Sequence, residues 1–439
     1  MQSFTNLTRI LLSKTVSALQ SAVNFTQCGF ANNTEIPKKP DSFTPVLRFA
    51  VCSDIHLKAK EDEPEEERLA AMLDFLYQYA AGQNYNKFDA LVVAGDMTDE
   101  GKPEQYRQFN RIVNNHLKDE TELLICAGNH EYIAYRDKDA SEGNRVFTKE
   151  MNRPVNSHHT INGYHFITAS YADDGKTFRS RTAWLKQELD NAAADCAQKP
   201  IFVIQHPAPF ATIYGSINWG DMSTPKVLKH YHQVIDFSGH SHYPINDPRS
   251  IYQGKYTALG CGTLSYYETE LDYIAGQFPY NSQSAAQFNL VECDAEGNVF
   301  VRTYDLITNQ FFKTEYYFTG LADKKFDYTF NKNKKRNKAP RFDDKSVYIG
   351  KNEKGETELT FSGTNEETVT ESYKITVRNN GKVVFKYNVC GKYMYLFEKN
   401  EYRFCLGKLK SGEKYKVHIT ALNAYGKCSK PFIHTFTAK

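Results

Sequence analysis

The sequence predicts an α/β four-layer sandwich, with two central mixed β-sheets flanked by helices, followed by an all-β immunoglobulin-like sandwich. Three observations lead there. Short apolar runs alternate with helical periods through the first half of the chain, which predicts sheets covered by helices. Five of those runs end abruptly in Asp, Asn or His. Roughly the last hundred residues instead carry short alternating segments broken by turn residues. At 439 residues the chain exceeds one ordinary core.

The stretch 1–42 reads as an N-terminal helical extension. Leu7, Ile10, Leu11 and Val16 fall at helical spacing, and Arg9 and Lys14 interrupt the apolar run that a secretory signal requires. Pro37 to Pro45 reads as a connector. The strand runs follow: "VLRFAVCSDIH" (46–56), "FDALVVAGD" (88–96), "ELLICAGNH" (122–130), "PIFVIQH" (200–206) and "QVIDFSGH" (233–240). They are rich in Val and Ile and bounded by Gly or Pro, as strands buried on both faces are. Between them, Leu69, Met72, Leu73 and Leu76 form one helical stripe. Tyr106, Phe109 and Val113 form a second, and Trp184, Leu185 and Leu189 a third. "NSHHTINGYHF" reads as a hairpin with structural histidines, and His230 and His232 sit in a junction without a motif. "QFNLVECDAEGNVFVRTYD" alternates around Gly297 and reads as another hairpin. The catalytic-type domain spans 43–322 on this reading.

Residues 323–341 are basic without an apolar period and read as a linker. In 342–439, Asn380-Gly381 is a hairpin signal. Leu409, Tyr415, Val417, Ile419, Ala421, Asn423, Gly426, Ser429 and Pro431 resemble the end of a fibronectin type III domain. That resemblance implies that Tyr415 is a tyrosine-corner residue. It also admits a polymer or protein ligand for this module. The tryptophan usual in an early strand of that family is missing.

Composition excludes several classes. A 41% apolar and 24% charged chain is globular, and a net charge of +2 gives no whole-chain electrostatic argument for nucleic acid or membrane. No run approaches the ~20 apolar residues of a membrane span. Nine dispersed cysteines without a CxxC pair favour reduced thiols, hence the cytoplasm, whereas Asn-x-Thr sequons near the N-terminus lean toward a secreted or cell-surface protein.

The strand ends gather Asp54, His56, Asp96, Asn129, His130, His206, His240 and His242. Carboxylate, imidazole and amide without thiolate suit two divalent metal ions such as Mn, Fe or Zn. Apart from His130 these are seven ligands, too many for one tetrahedral ion, and two ions about 3.5–4 Å apart would share them with one bridging carboxylate. "DIH" (54–56), "GDMTD" (95–99), "GNHE" (128–131), "QH" (205–206) and "GHSH" (239–242), in that order, resemble the calcineurin-like metallophosphoesterases. The resemblance implies that Asp54, His56 and His242 bind one metal, that Asn129, His206 and His240 bind the other, and that Asp96 bridges. It implies a catalytic His130 oriented by Asp99, and hydrolysis of a phosphomonoester or phosphodiester by a hydroxide held between the metals.

Glu100 stands where protein phosphatases of this family carry arginine, and Asp99 stands where purple acid phosphatases carry tyrosine. Those two departures leave a small-molecule or headgroup phosphoester as the expected substrate. Class III cyclic nucleotide phosphodiesterases share the D-x-H and G-H-x-H pattern more closely. Asn129, His130, Tyr171, Trp219 and Tyr243 are the expected substrate contacts, with Tyr132 beside them and residues 210–225 as a lid. Arg249 is placed to reach a phosphate or to stabilise its turn. The competing reading is a binding or adhesion protein that uses the fibronectin-like module beside a vestigial catalytic domain.

Overall fold

The structure, a computed structural model, describes residues 36–439 except 61, 138, 173, 174, 273 and 366. The helical extension expected over 1–42 lies largely outside the described residues. The chain divides into two units. One comprises the residues up to Thr269 with Ala275–Lys332, and the other comprises Glu270–Ile274 with Asn333–Lys439.

In the first unit, β1 (Pro45–Cys52), β2 (Ala90–Ala94) and β3 (Glu122–Cys126) run parallel. Antiparallel β10 (Gln287–Asp294), β11 (Val299–Asp305) and β12 (Gln310–Phe318) extend this sheet in the order β12-β11-β10-β1-β2-β3. The second sheet contains β4 (Ser157–Ile161), β5 (Tyr164–Ala169), β6 (Ile201–Gln205), β7 (Val234–Ser238), β8 (Ile251–Gln253) and β9 (Thr257–Gly260). Its order is β4-β5-β6-β7-β9-β8, parallel from β5 through β9.

Alternation along β1 shows why both sheets are sandwiched. Leu47, Phe49 and Val51 point between the sheets, where Phe49 meets Phe166 at 5.0 Å and Phe202 at 4.8 Å. Ala50 and Cys52 point the other way, onto Leu69, Met72, Leu73 and Leu76 of α1 (Pro64–Ala81) and Tyr106 and Phe109 of α2 (Pro103–His116). After α3 (Ser141–Met151), α4 (Thr182–Asp195) covers the second sheet with Leu185 and Leu189. The four expected layers are present, and both sheets are mixed.

The expected "NSHHTINGYHF" hairpin forms as β4–β5, turning on Asn162 and Gly163 at φ 51° and 75°. The expected lid, 210–225, contains a short helix, Ser216–Trp219. Within the basic stretch 323–341, Phe330–Arg336 is helical. The second unit pairs its strands as sheets of three and four, from Val347–Lys351 to Phe432–Thr437. Tyr415 Oη accepts a hydrogen bond from Lys410 N at 3.1 Å, the upstream backbone bond of a tyrosine corner.

Candidate metal centre

The carboxyl ends of β1, β2, β3, β6 and β7 come together at one edge of the two sheets. Backbone conformation there is unusual. Asp54, His56, Asp96, His240 and His242 have φ of 54°, 58°, 51°, 70° and 56°. A non-glycine residue in the left-handed region costs about 1–3 kcal/mol and persists only where the surroundings over-determine it. Bonds between the loops supply that determination. Ile55 N and His56 N both donate to Asp96 O, at 2.8 and 3.0 Å. Ser265 Oγ and Thr263 Oγ1 donate to Asp54 O, and His240 N donates to the Asp54 carboxylate at 3.0 Å.

The side chains then converge. His242 Nε2 lies 3.2 Å from Asp54 Oδ1 and 3.2 Å from His56 Nε2. His206 Nε2 lies 3.0 Å from both Asp96 Oδ2 and Asn129 Oδ1. Asp96 Oδ2 is also 3.9 Å from His56 Nε2, so one carboxylate reaches both groups. Asp54–His56–His242 and Asp96–His206–His240 each have metal-ligand spacing.

Hydrogen bonding on the far side of each ring fixes what faces inward. His206 Nδ1 is 2.8 Å from Ala94 O, and His242 Nδ1 is 3.0 Å from Tyr266 O. A carbonyl only accepts, so these Nδ1 atoms carry protons, and in the neutral ring Nε2 presents a lone pair. The centre therefore turns lone pairs and carboxylate oxygens toward one another. Only cations satisfy such a set, and the oxygen and nitrogen donors fit divalent metal ions.

Without metal, protons take that place. Burial opposes charge on His56, yet Asp54, Asp99 and Asp96 carry it up to about 10. Burial likewise opposes charge on His206, which Asp96 and Asp54 carry up to about 9. Burial pushes His240 down to about 3, assisted by His206, and leaves its imidazole neutral as a ligand must be. Against burial, the histidines hold the Asp54 and Asp96 carboxyls below the usual carboxylate range.

Residues 47–244 match the family model described as calcineurin-like phosphoesterase. Over this segment the chain is similar to the calcineurin-like phosphoesterases. One component of the nuclease SbcCD of Escherichia coli (strain K12) is 35% identical over 94 residues, covering 20% of this chain and 22% of that protein. This chain thus spans about a fifth of the curated relative it matches. Among solved structures, the yellow lupin (Lupinus luteus) purple acid phosphatase PPD1 shares 13% identity at a TM-score of 0.43, covering 64% of this chain and 55% of that one. A two-domain fibronectin type III segment of chicken tenascin shares 14% identity at a TM-score of 0.17, covering 32% of this chain and 65% of that one.

The first unit also uses residues to which the sequence reading gave no role. Glu131 is buried and accepts four hydrogen bonds. Thr98 N and Thr98 Oγ1 reach its Oε1 at 2.9 and 2.8 Å, and Asp96 N and Gly128 N reach its Oε2 at 3.0 and 2.7 Å. It pins the β2 exit, which carries Asp96, to the β3 exit, which carries Asn129. Burial and the Asp96 charge outweigh those donors and push its carboxyl up to about 7. Gly128 and Gly239 are packing glycines. A Cβ at Gly128 would stand 2.6 Å from Asp96 N and 2.7 Å from His206 Cγ, and one at Gly239 would overlap Ser53 Oγ and Asp54 Oδ2. "GNHE" and "GHSH" carried the signal for Glu131 and both glycines, but their partners lie on other strands.

His130 points its Nε2 to within 4.0 Å of Asp96 Oδ2. Its Nδ1 bonds the Asp99 carbonyl at 2.7 Å, so the backbone of Asp99 orients it. The Asp99 carboxylate lies elsewhere, 3.6 Å from His56 Nδ1. Tyr132 and Tyr171 are buried against each other with ring centroids 6.0 Å apart, and Tyr243 is buried against Tyr214 at 4.3 Å. Packing takes up these three rings. Trp219 stands edge-on to His240 at 6.0 Å and remains part-exposed. Arg249 bonds Asp247 and stacks on Tyr214 at 3.6 Å. His158 and His165 form a chain from Glu188 to Asp195 on β4, β5 and α4.

Proposed function

We propose that this chain is a metal-dependent phosphoesterase that hydrolyses a phosphomonoester or phosphodiester. The observation that carries the reading is the inward set of lone pairs and carboxylates on two groups joined by Asp96. Asp54, His56 and His242 would hold one ion and Asn129, His206 and His240 the other, with Asp96 between them. Two such ions, when bound, supply an acidified water as nucleophile and positive charge opposite the phosphoryl oxygens.

The chain's own groups do the rest. The backbone bonds of His206 and His242 keep each ring in the ligating tautomer. Glu131 holds the Asp96 and Asn129 loops at a fixed separation. His130 is the group placed to protonate or hydrogen-bond the leaving oxygen, an effect worth about 10²–10⁴ in rate. Its Nδ1 proton is committed to the Asp99 carbonyl, so only the imidazolium has a proton on Nε2 to give. Burial holds that imidazolium below the ordinary histidine range.

Turnover of bis-p-nitrophenyl phosphate and p-nitrophenyl phosphate by Mn²⁺-loaded protein tests the reading, and their ratio separates diesterase from monoesterase. Asp96→Ala should lose metal. His130→Ala should keep two metals and slow kcat about 10²–10⁴-fold. Inactivity toward both esters with two metals verified bound would favour the binding-protein reading.

A further inference from the structure

Beyond the metal ligands, the catalytic unit gathers exposed rings in one place. Among its described residues, the exposed large apolar side chains are Ile36, Trp219, Met222, Phe278, Tyr280 and Ile307. Four of these lie on two short segments, 219–222 and 278–280, and are 38%, 67%, 63% and 75% exposed in chain order. The chain just before the second segment reaches the first, since a Cβ at Gly276 would stand 3.5 Å from Trp219 Cζ2 and 3.3 Å from Glu268 Oε2.

Both segments are continuous with the histidine pair. Trp219 stands edge-on to His240. On the other side, Tyr266 stacks on His242 at 4.1 Å, and Phe278 packs on Tyr266 at 5.7 Å. Rings therefore step from the half-buried His240 and the buried His242 out to solvent along two routes. Apolar surface left exposed in a cluster marks a binding site, whereas single exposed apolar residues need no explanation.

Charge narrows the occupant. Residues 210–225 and 275–285 contain no Lys or Arg, and the first segment carries Asp221. A polyanion needs basic groups along its backbone track. These two segments carry no such groups of their own, and Arg68, which reaches 275–285, has its guanidinium bonded to the carbonyls of Leu264, Ser265 and Gln283.

We propose that Trp219, Tyr266 and Phe278 bind the organic part of the substrate, a flat, uncharged ring carried on a phosphoester whose negative charge is confined to the phosphoryl group at the metals. The proposal rests on the phosphoesterase reading and adds a substrate class to it. Trp219 and Phe278 stack on the ring, and Tyr266 carries the contact from His242 outward.

The test is calorimetric titration of Mn²⁺-loaded protein with phenylphosphonate and with ethylphosphonate, which share the anionic head and differ in the ring. Phenylphosphonate should bind about five- to a hundredfold more tightly, the range of ring stacking on aromatic side chains. The ratio of the two dissociation constants should fall toward one in Trp219→Ala and in Phe278→Ala. A ratio near one in the unsubstituted protein, or one that both substitutions leave unchanged, overturns the aromatic wall while the phosphoesterase reading stands. Failure of both phosphonates and of inorganic phosphate to bind overturns that reading and the wall with it. Single-stranded DNA that binds more tightly than phenylphosphonate, with steep salt dependence, overturns the assignment to an uncharged ring.

Discussion

Glu131→Gln is the substitution that most directly tests how the two ligand loops are held. Glutamine keeps the volume and replaces one carboxylate oxygen with an amide NH₂. Each oxygen of Glu131 accepts two hydrogen bonds, so either orientation sets two donors against a donor. Above about pH 8, where Glu131 is ionised, a hydrogen bond to this charged acceptor is worth about 1.5–3 kcal/mol, so the loss is roughly 3–6 kcal/mol before relaxation. At about 2–4 °C per kcal/mol for domains of 150–250 residues, and somewhat less for a larger one, that lowers Tm by several degrees, roughly 5–10 °C. If the loops part, Asp96 and Asn129 no longer face His206 together, and the ion assigned to His206 and His240 is lost first. Differential scanning calorimetry with elemental analysis of the purified variant reads both effects. A Glu131→Gln protein that melts with wild type and binds two metals would refute the argument that these four bonds set the spacing.

Three further outcomes follow from the same geometry. His56 and His206 have folded pKa values of about 10 and 9, above the unfolded value of ~6.5. Their contribution to metal-free stability is therefore complete below about pH 6.5 and lost as pH rises through 9–10. The depressed Asp54 and Asp96 carboxyls contribute above about pH 4 and lose their contribution in more acid solution. His240, held down to about 3, opposes His56 and His206 by losing stability as pH falls below ~6.5. Thermal melts of metal-free protein should thus be highest near pH 6.5 and decline toward pH 10, with Mn²⁺ reducing the alkaline decline; a flat profile from pH 6.5 to 10 would contradict the proton-sharing account. Gly239→Ala forces Ser53 or Asp54 aside, so elemental analysis should find less than two equivalents of metal. Tyr415→Phe removes one hydrogen bond and should cost the second unit about 1 kcal/mol in denaturant unfolding, with no change in metal content.

Much of the centre was legible in the sequence because ligand chemistry is local. An apolar β-run that ends in Asp-x-His or Gly-His-x-His declares both its strand and the donors at its carboxyl end. The layer order was legible for a similar reason, since buried strands alternating with amphipathic helices leave few other arrangements. The motifs did not say where Asp99 would point, because a loop carboxylate and a loop carbonyl one residue apart look alike in a string of letters. Nor did Tyr132, Tyr171 and Tyr243 reveal that packing would use up their rings. Nothing in the sequence marked Phe278, 36 residues beyond His242, as the ring that packs on Tyr266 beside that histidine.

By itself the sequence determined which atoms are available to hold cations and which strands deliver them. Only the tertiary structure decided the left-handed turns at Asp54, His56, Asp96, His240 and His242, the four-bond anchor at Glu131 and the rings flanking the histidine pair. A donor belongs to its residue, but a strained turn or a shared anchor exists only where bonds from separate strands close on the same few ångströms.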